Sequence, residues 1–493
     1  MRLNEIPIDG VPYDRLKVEK IPASPAYAPR DPELVPAAGR TLVINPDRIC
    51  MPIGAMWAVL GVHRAIPFVQ GAQGCTTYAR YTFSRIFKEP ATIATASFHE
   101  DAAVFGGRRN LLEGLRNLVV RYWPEVIGIA TTCSSEIMGD DLVSFVKEAR
   151  IKIGGEIGAE KMDRIAMVII NTPSFAGSHV DGYDRAAKAF VDTLATGRDT
   201  PDRRVNIIPG LLYPGDIREI RHLLEEMEIE ATVLFDISDT LDAPLAPPQE
   251  IPYYPPGGTT LQEIRGMGNA LATFALQPAA GAGGARSLER RLGVPAVVGL
   301  TPVGVDATDA LLQNLSRITG REIPASLKIE RGRLIDALAD TFHHTMMKRV
   351  AIFGDPDTVT GVARFVCELG MTPVAVAPGT PTKTFEQEMD GIFAGYRELF
   401  LDTPKVFNGG DLFEFEEYLK TLPRLDLIIG NSKGIDISRE LEVPLVRVGF
   451  PIYDRFGYQK RPIVGYRGAE LLLYEIVNSI LDFRYPDDRT QQL

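Results

Sequence analysis

The stretch VIGIATTCSSEIMGDD, residues 126–141, contains the pattern that decides the fold of this chain. Its first six residues are apolar or small and lack the polar alternation of a half-exposed strand. This is typical of a parallel strand buried on both faces. Cys133 follows closely, and the acidic pair Asp140 and Asp141 then precedes an amphipathic segment. The stretch therefore predicts a strand, a turn that carries a thiol, and a helix beyond it.

Similar short runs recur along the chain, and amphipathic segments separate them. The runs are TLVIN (41–45), PFVQ (67–70), MVIIN (167–171), VNIIP (205–209), TVLFD (232–236), VAIFG (350–354), PVAVA (373–377), DLIIG (426–430) and PLVRVG (444–449). Between two of them, Ile217, Ile220 and Leu224 fall on one helical face. Strands that alternate with helices predict the α/β fold class with open, mainly parallel sheets.

The length of 493 residues suggests roughly three domains, at about 150 residues each. Residues 1–40 contain seven prolines, which favours an extended N-terminal arm. Proline-rich residues 244–256 and the stretch PAAGAGG at 278–284 are predicted to be loops. We place the domains and the C-terminal helix and tail as follows: an α/β domain with the cysteines at 41–165, further α/β domains at 166–300 and 301–455, and the C-terminal segment at 456–493.

Composition and charge exclude several classes of protein. The net charge of -11 argues against a nucleic-acid groove, which needs clustered Lys and Arg. No uncharged run reaches the ~18–20 residues of a membrane span, and the N-terminus lacks the apolar core of a signal peptide. Four cysteines are too few for a disulfide framework, which favours a cytoplasmic location. A phosphate-binding G-x-x-x-x-G-K-[ST] loop is also missing, so the chain is not expected to hydrolyse a nucleotide.

Three of the four cysteines share a position in the predicted fold. Cys50, Cys75 and Cys133 each follow a predicted strand, as does Ser174, and open α/β sheets bind ligands beyond the carboxyl ends of their strands. Cys75 also precedes a predicted helix, whose N-terminus would lower the thiol pKa and favour metal ligation. Cys367 lies on an apolar helix face and is assigned to the core. Three thiolates are an incomplete ligand set for a cluster or a structural zinc site, so the remaining ligands are expected from another chain.

Motifs spread over nearly the whole chain closely resemble the β (K-type) subunit of nitrogenase component 1. The cysteine spacings of 25 residues (Cys50 to Cys75) and 58 residues (Cys75 to Cys133) fit this resemblance. The motifs are INPDRICMPIGA, GAQGCTTYAR, HEDAAVFGG, TTCSSEIMGDD, TPSFAGSHVDGYD, PASLKIERGRL, FGDPD, GNSKG and RVGFPIYDR.

The resemblance implies three Rossmann-like domains in an α2β2 heterotetramer. It implies an [8Fe-7S] P-cluster shared with the α (D-type) subunit, with Cys50, Cys75 and Cys133 as thiolate ligands and Ser174 as a ligand of the oxidised cluster. An iron–sulfur catalytic cofactor would lie in the α subunit, and this chain would contribute no catalytic residue. Electrons would come from an ATP-hydrolysing [4Fe-4S] iron protein, so the implied role is electron relay.

Other positions carry over from the family with less support from their own sequence context. Tyr78 and Arg80 match residues beside the cluster, although packing and a surface ion pair explain them equally well. Glu89, Asp306 and Asp309 resemble carboxylates that bind a divalent cation between two β subunits, and oxygen ligands suit such a hard ion. Exposed acidic residues are ordinarily just solvated.

The terminal substrate is left open by the sequence. The segments RVGFPIYDRFGYQKRP (447–462) and ICMPIGAMW (49–57) depart from common molybdenum nitrogenases, which favours slightly a nitrogenase-like methylthio-alkane reductase that cleaves C–S bonds. Dinitrogen reduction by a molybdenum, vanadium or iron-only nitrogenase is the close alternative. A cofactor-assembly scaffold and a three-lobed small-molecule binding protein are alternatives of other classes.

Overall fold

The computed structural model of the chain describes residues 43–197, 202–245, 247, 253–399, 403–409 and 411–484. The predicted arm, 1–40, lies outside the described residues, and so does the tail from 485 onward. The elements below all belong to the unit that begins at Asn45. No helix in the described part of the chain is long and apolar enough to cross a membrane.

The described strands form three sheets, in which all neighbouring strands are parallel. The first sheet contains β1 (Ala65–Gln70), β2 (Ala94–Thr95), β3 (Val126–Thr131) and β4 (Ala166–Ile170). The second contains β5 (Val205–Ile208), β6 (Ala231–Val233), β7 (Thr273–Ala275) and β8 (Ala296–Val298). The third contains β9 (Arg349–Gly354), β10 (Thr372–Pro378), β11 (Lys405–Val406), β12 (Leu427–Gly430) and β13 (Leu445–Arg447). The predicted α/β class with parallel sheets is confirmed.

Strand order reverses once in each sheet. The orders are β2-β1-β3-β4, β6-β5-β7-β8 and β11-β10-β9-β12-β13. The chain leaves the first strand of each sheet toward one edge and later returns to that strand's other side. The reversal opens a crevice between β1 and β3, between β5 and β7, and between β9 and β12, which is where open α/β sheets bind ligands.

Helices connect the strands and cover the faces of the sheets. They are α1 (Met51–Leu60), α2 (Gln73–Phe87), α3 (Glu100–Phe105), α4 (Arg108–Tyr122), α5 (Cys133–Met138), α6 (Leu142–Ile157), α7 (Ala159–Asp163), α8 (His179–Leu194), α9 (Pro214–Glu226), α10 (Leu261–Gly266), α11 (Pro278–Leu292), α12 (Gly304–Thr319), α13 (Ala325–Thr345), α14 (Pro356–Glu368), α15 (Phe385–Ala394), α16 (Leu412–Lys420), α17 (Ile435–Glu440) and α18 (Gly465–Arg484). The predicted helix faces are buried, as at Ile217, Ile220 and Leu224. The predicted C-terminal helix corresponds to α18.

The predicted strand at TLVIN does not form over its described residues, 43–45. The carbonyl of Asn45 instead accepts a hydrogen bond from the amide of Leu412 at the start of α16, so this segment caps a helix rather than joining a sheet. The strands β2, β7, β8 and β11 were not predicted, although β7 and β8 are as long as β6 and β13, which were.

The predicted loop at 278–284 is also wrong, because these residues form the first two turns of α11. Their small side chains serve close packing rather than a turn. A Cβ added at Gly283 would lie 2.3 Å from the Asp184 carboxylate on α8, and one at Gly284 would lie 3.0 Å from Ala187. The glycines therefore allow α8 and α11 to approach closely.

The first sheet extends past the predicted domain boundary at 165/166. β4 pairs with β3 in register from Val126 with Ala166 to Ala130 with Ile170. Residues 166–170 thus complete the first sheet and do not begin the second. The division into domains stays a prediction.

Candidate metal centre

The first sheet brings Cys75 and Cys133 to the same crevice. Cys75 is the third residue of α2, which follows β1, and Cys133 is the first residue of α5, which follows β3. β1 and β3 pair directly along their whole length, and the strand order reverses between them. The two thiols therefore lie at the carboxyl edge of adjacent strands, where the sequence predicted a ligand site.

Close contacts hold the two cysteine-bearing turns together. The Thr132 hydroxyl donates a 2.9 Å hydrogen bond to the carbonyl of Gln70. A Cβ added at Gly71 would come within 2.5 Å of the Thr132 side chain, so only glycine lets the turn before Cys75 pack against the one at Cys133. This explains the first glycine of the motif GAQGC in physical terms.

A matching pair of threonines joins the turn that leads to Ser174. The Thr172 amide donates to the Thr131 hydroxyl at 2.6 Å, and the Thr172 hydroxyl donates to the Thr131 carbonyl at 2.7 Å. Ser174 begins a short 3-10 helix two residues later. The strand ends of β3 and β4 thus fix Ser174 relative to Cys133.

Cys50 reaches this edge by a different route from the one expected. It follows no strand and is the N-cap of α1. An isolated antiparallel bridge pairs it with Ser178. The amide of the next residue, Met51, donates a 3.2 Å hydrogen bond to the Ser174 Oγ atom. Packing of α1 against the start of α8 therefore brings Cys50 to the site.

Two glycines permit this crossing of α1 and α8. A Cβ added at Gly54 would lie 1.7 Å from the carbonyl oxygen of His179, and one at Gly182 would lie 1.9 Å from the carbonyl oxygen of Met51. Any side chain at either position would push the helices apart. The motifs INPDRICMPIGA and TPSFAGSHVDGYD thus contain the two halves of one helix contact.

Cys75 is exposed at the surface but loses part of its hydration in the crevice, and this partial burial together with the neighbouring thiols raises the pKa of its thiol above the ordinary value. Burial has the larger effect, and Cys50 and Cys133 add to it by charge repulsion. We expected the N-terminus of α2 to lower this pKa, but that favourable contribution is outweighed. A thiol whose pKa is raised in this way is stabilised as a thiolate when a metal supplies positive charge.

The site is open on one side. Cys50 and Cys75 are exposed and Cys133 is partly exposed. Large apolar side chains on the same elements are exposed as well: Tyr78 on α2, Ile137 on α5, and Phe175 beside Ser174. Such a patch is typical of a surface that another protein covers.

Cys367 lies elsewhere, as predicted, in the buried face of α14. Its side chain is 2% exposed, and burial raises the pKa of its thiol to about 12. A thiol in this state is unreactive and acts as a small apolar side chain.

The donor set at this edge fits an iron–sulfur cluster better than a single ion. In the described part of the chain, the one group with three possible ligand atoms within 4.8 Å of one another is Glu219, His222 and Glu330, and the three cysteines do not form such a group. Soft thiolates that are spread around an opening match a multi-iron cluster, which takes cysteine ligands from several directions.

The two positions predicted to lie beside the cluster differ. Cys50 contributes to the raised pKa of Tyr78, whose main cause is burial, so Tyr78 lies close to the thiols. Arg80 is exposed, and its charge acts on Tyr253, where it partly opposes the rise in pKa that burial and Tyr122 cause. Tyr78 is one turn after Cys75, whereas Arg80 points from another face of α2.

The three carboxylates predicted to bind a cation are not brought together within the chain. Glu89 lies near Asp242, which together with burial raises the pKa of Glu89. Asp309 accepts two 2.9 Å hydrogen bonds from Arg331, so its charge is already balanced. Asp306 accepts a 3.5 Å hydrogen bond from Tyr396. A cation site between two copies of the chain stays a prediction.

The sequence analysis did not find the residues that support the Cys50 segment. Buried His179 accepts a hydrogen bond from the Ile49 amide at its Nδ1 atom, at 3.4 Å, and its Nε2 atom lies 2.9 Å from the Asp355 Oδ1 atom. The motifs GSHV and FGDPD contained both residues, but nothing in the spacing linked them. They are 176 positions apart and meet only in the folded chain.

Comparison with known proteins gives one consistent result. The family profile described as Nitrogenase component 1 type Oxidoreductase matches residues 50–481. The nitrogenase molybdenum-iron protein beta chain of Methanococcus maripaludis is 46% identical over 449 residues, covering 90% of this chain and 96% of that protein. The nitrogenase vanadium-iron protein beta chain of Trichormus variabilis is 40% identical, covering 91% and 96%. The solved structure of nitrogenase Cp1 at pH 6.5 has a TM-score of 0.86 at 39% identity, covering 92% and 96%.

Proposed function

Because the chain belongs to the nitrogenase component 1 family of oxidoreductases, we propose that it is the electron-relay β subunit of a nitrogenase-type reductase. Its task is to hold half of an [8Fe-7S] P-cluster at the boundary with an α subunit. The observation that carries this proposal is the open edge of the first sheet, where Cys50, Cys75 and Cys133 lie with their thiols unpaired.

The residues of this chain have distinct parts in that task. Cys50, Cys75 and Cys133 would hold the cluster as thiolates, and Ser174 would supply an oxygen ligand on oxidation. When bound, such a cluster stores and releases electrons. The Met51 amide holds the Ser174 hydroxyl beside the thiols, so that oxygen is positioned before it is needed. No residue of this chain is proposed to act on the substrate.

We propose two partners, one that the open site calls for and one that the family implies. Three thiolates leave the cluster short of ligands, and the exposed side chains of Tyr78, Ile137 and Phe175 need a covering surface. An α subunit in an α2β2 heterotetramer would supply both, together with the iron–sulfur catalytic cofactor. Electrons would arrive from an ATP-hydrolysing [4Fe-4S] iron protein. We propose the cytoplasm as the location, because free thiols and an ATP-driven donor need a reducing compartment that contains ATP.

Dinitrogen is the terminal substrate that we propose first. Relatives at 40–46% identity are named as beta chains of molybdenum-iron and vanadium-iron nitrogenases. Their similarity extends over 90–91% of this chain. The slight preference for a methylthio-alkane reductase gains no support from these comparisons. It remains the second candidate because residues 447–462 and 49–57 depart from common molybdenum nitrogenases.

A turnover assay tests the relay and the substrate together. The chain is purified without oxygen in its complex with the α subunit, then supplied with the iron protein, ATP, and either dinitrogen or dimethyl sulfide. We expect ammonia from dinitrogen, and no methane or methanethiol from dimethyl sulfide. Cys133→Ala should abolish the product, whereas Cys367→Ala should leave it unchanged.

Three outcomes would contradict parts of this proposal. Unchanged ammonia formation by the Cys133→Ala complex would refute the relay role. Formation of methane and methanethiol without ammonia would identify a methylthio-alkane, and not dinitrogen, as the substrate. A complex that binds iron and transfers it to another protein, but forms neither product, would identify an assembly scaffold.

A further inference from the structure

A cavity of about 150 Å³ lies at the carboxyl ends of β7 and β8, on the second sheet. Its walls are mainly apolar and include Phe274, Leu276, Val297 and Leu311. The sheet edge is the same kind of edge that carries the cysteines on the first sheet, and open α/β sheets bind small ligands there. Nothing in the relay role uses this cavity.

One positive side chain in the cavity, that of Arg364, has an unsatisfied hydrogen-bond donor. The Arg364 Nε atom is buried and has no hydrogen-bond partner among the described residues. Glu368, one turn further along α14, is the nearest carboxylate on its helix. Its two oxygens instead accept hydrogen bonds from the amides of Val305, at 2.7 Å, and Asp306, at 3.1 Å. Both amides lie at the start of α12. Glu368 therefore senses the charge of Arg364 without forming a hydrogen bond with it, and the Arg364 Nε donor stays available to a ligand.

One negative side chain lines the same cavity. The Asp306 carboxylate accepts a long hydrogen bond of 3.5 Å from Tyr396. Asp306 and Arg364, both in the described part of the chain, form no ion pair within 4.0 Å. Opposite charges therefore share the cavity without touching each other. Asn314, another polar lining residue, already donates to the Ala310 carbonyl at 2.8 Å and accepts from Arg317 at 2.8 Å.

The ligand that satisfies both charges must carry both charges itself. An anion alone would face Asp306, and a cation alone would face Arg364. A carboxylate and an ammonium group on one small molecule would pair with Arg364 and Asp306, and a short hydrocarbon part would contact the apolar walls. A cavity of about 150 Å³ has room for several water molecules, which suits a small molecule of seven or eight heavy atoms better than a single ion.

We propose that this cavity binds a free α-amino acid with a short aliphatic side chain, of the size of valine. The exposed residues Asp306 and Ala310 form its mouth, so the ammonium end would lie outward and the carboxylate would lie deeper, at Arg364. The proposal is independent of the cysteine edge and of the terminal substrate.

Calorimetric titration of the iron-loaded complex with L-valine tests the proposal. We expect saturable binding in the millimolar range or tighter. Two analogues need no mutation: 3-methylbutanoate lacks the ammonium group, and 2-methylpropylamine lacks the carboxylate. Each should bind at least about tenfold more weakly than valine, because 3-methylbutanoate loses the ion pair with Asp306 at the mouth and 2-methylpropylamine leaves the buried Arg364 Nε donor without an acceptor. Equal binding of valine and either analogue would overturn the two-charge argument.

Substitutions locate the binding. Arg364→Gln and Asp306→Asn should each weaken valine binding at least about tenfold. The matched controls are Arg290→Gln and Asp390→Asn, which change exposed residues on α11 and α15 and should leave binding unchanged. Circular dichroism of each variant shows whether it has folded.

Three results would overturn the proposal. One is the absence of any saturable heat with valine. Another is valine binding that survives both substitutions, which would place the ligand elsewhere. The last is calcium binding that is lost in Asp306→Asn while valine gives no signal, which would assign Asp306 to a cation instead.

Discussion

The first and third sheets have the same kind of crevice, but they fill it differently. In the third sheet, Asp355 follows β9 and Asn431 follows β12, on either side of the strand reversal. Both are buried, and the Asn431 Nδ2 atom donates to the Asp47 Oδ1 atom at 2.8 Å and to the Phe450 carbonyl at 2.9 Å. In the first sheet, the corresponding positions lead to Cys75 and Cys133, which remain open to the surface.

The difference shows that strand order fixes where a ligand site can form. Residue type and burial decide whether that position stays open or is filled by contacts within the chain. The closed edge, at Asp355 and Asn431 of the third sheet, also supports the open edge, at Cys75 and Cys133 of the first. Asp355 contacts His179, and His179 in turn holds the Ile49 amide just before Cys50. The polar side chains of the third sheet therefore stabilise the segment that presents a thiol at the first.

The largest effect is expected when a thiol is removed from the open edge. Cys75→Ala takes away one proposed cluster ligand, so the purified complex should lose most of the iron that is bound at the subunit boundary. Cys367→Ala, its buried counterpart, should leave the iron content unchanged and lower the free energy of unfolding by only about 1 kcal/mol. Iron analysis of both complexes makes the comparison. Equal iron in the two variants would refute the ligand role of Cys75.

A smaller but still large effect is expected at the helix crossing behind Cys50. Gly54→Ala places a methyl group 1.7 Å from the His179 carbonyl oxygen, which α1 can avoid only by moving. We expect a loss of at least about 3 kcal/mol in the free energy of unfolding, or failure to fold. Gly74→Ala, beside Cys75, has no atom within 4 Å of the new methyl group and should change stability by less than about 1 kcal/mol. Urea denaturation measures both, and similar values would contradict the close packing.

The closed edge predicts a pH dependence of stability. Burial raises the pKa of Asp357, just after β9, to about 7, although its carboxylate accepts the amides of Ala279 and Ala280. The folded chain thus holds this proton at a higher pH than the unfolded chain, so the contribution of Asp357 to stability falls as pH rises from about 4 to about 7.

Asp357→Asn should remove this part of the slope. Between about pH 5 and pH 7, the free energy of unfolding of the unmodified chain should fall by at least about 1 kcal/mol more than that of the variant. Asp390→Asn, on the exposed face of α15, is the control and should keep the original slope. Identical slopes for Asp357→Asn and the unmodified chain would show that the carboxyl does not titrate in this range.

The smallest effect is expected beside the thiols. Tyr78→Phe removes a hydroxyl near Cys50 and should shift the midpoint potential of the bound cluster by a few tens of millivolts, where ~59 mV corresponds to tenfold for one electron. Arg80→Gln changes a side chain directed toward Tyr253 and should leave the potential in place. A redox titration followed by electron paramagnetic resonance measures both. A larger shift for Arg80→Gln would reverse the placement of the two residues.

Much of the fold could be predicted because buried parallel strands leave a plain mark in the sequence. The runs from PFVQ at β1 to PLVRVG at β13 coincide with strands for that reason. The stretch at 278–284 misled the prediction because glycine and alanine mark turns and close helix contacts alike. Gly283 fits against Asp184 only in the folded chain.

The sequence located two cysteines of the candidate site at strand ends, but not the residues that support the site. Strand-end placement located Cys75 and Cys133, because that relation is local in sequence. Cys50 depends on the contact between α1 and α8, and the pair of His179 and Asp355 joins distant parts of the chain. Contacts of that kind leave no periodic signal in a single sequence.

Thiol alkylation tests the central claim most directly. The iron-loaded complex is treated without oxygen with iodoacetamide, before and after iron is removed by a chelator, and the modified cysteines are identified by mass spectrometry. We expect Cys50, Cys75 and Cys133 to be protected together in the loaded complex and to react together once iron is removed, while buried Cys367 stays unmodified in both. Alkylation of any of the three in the loaded complex, at the rate seen after iron removal, would contradict their role as cluster ligands.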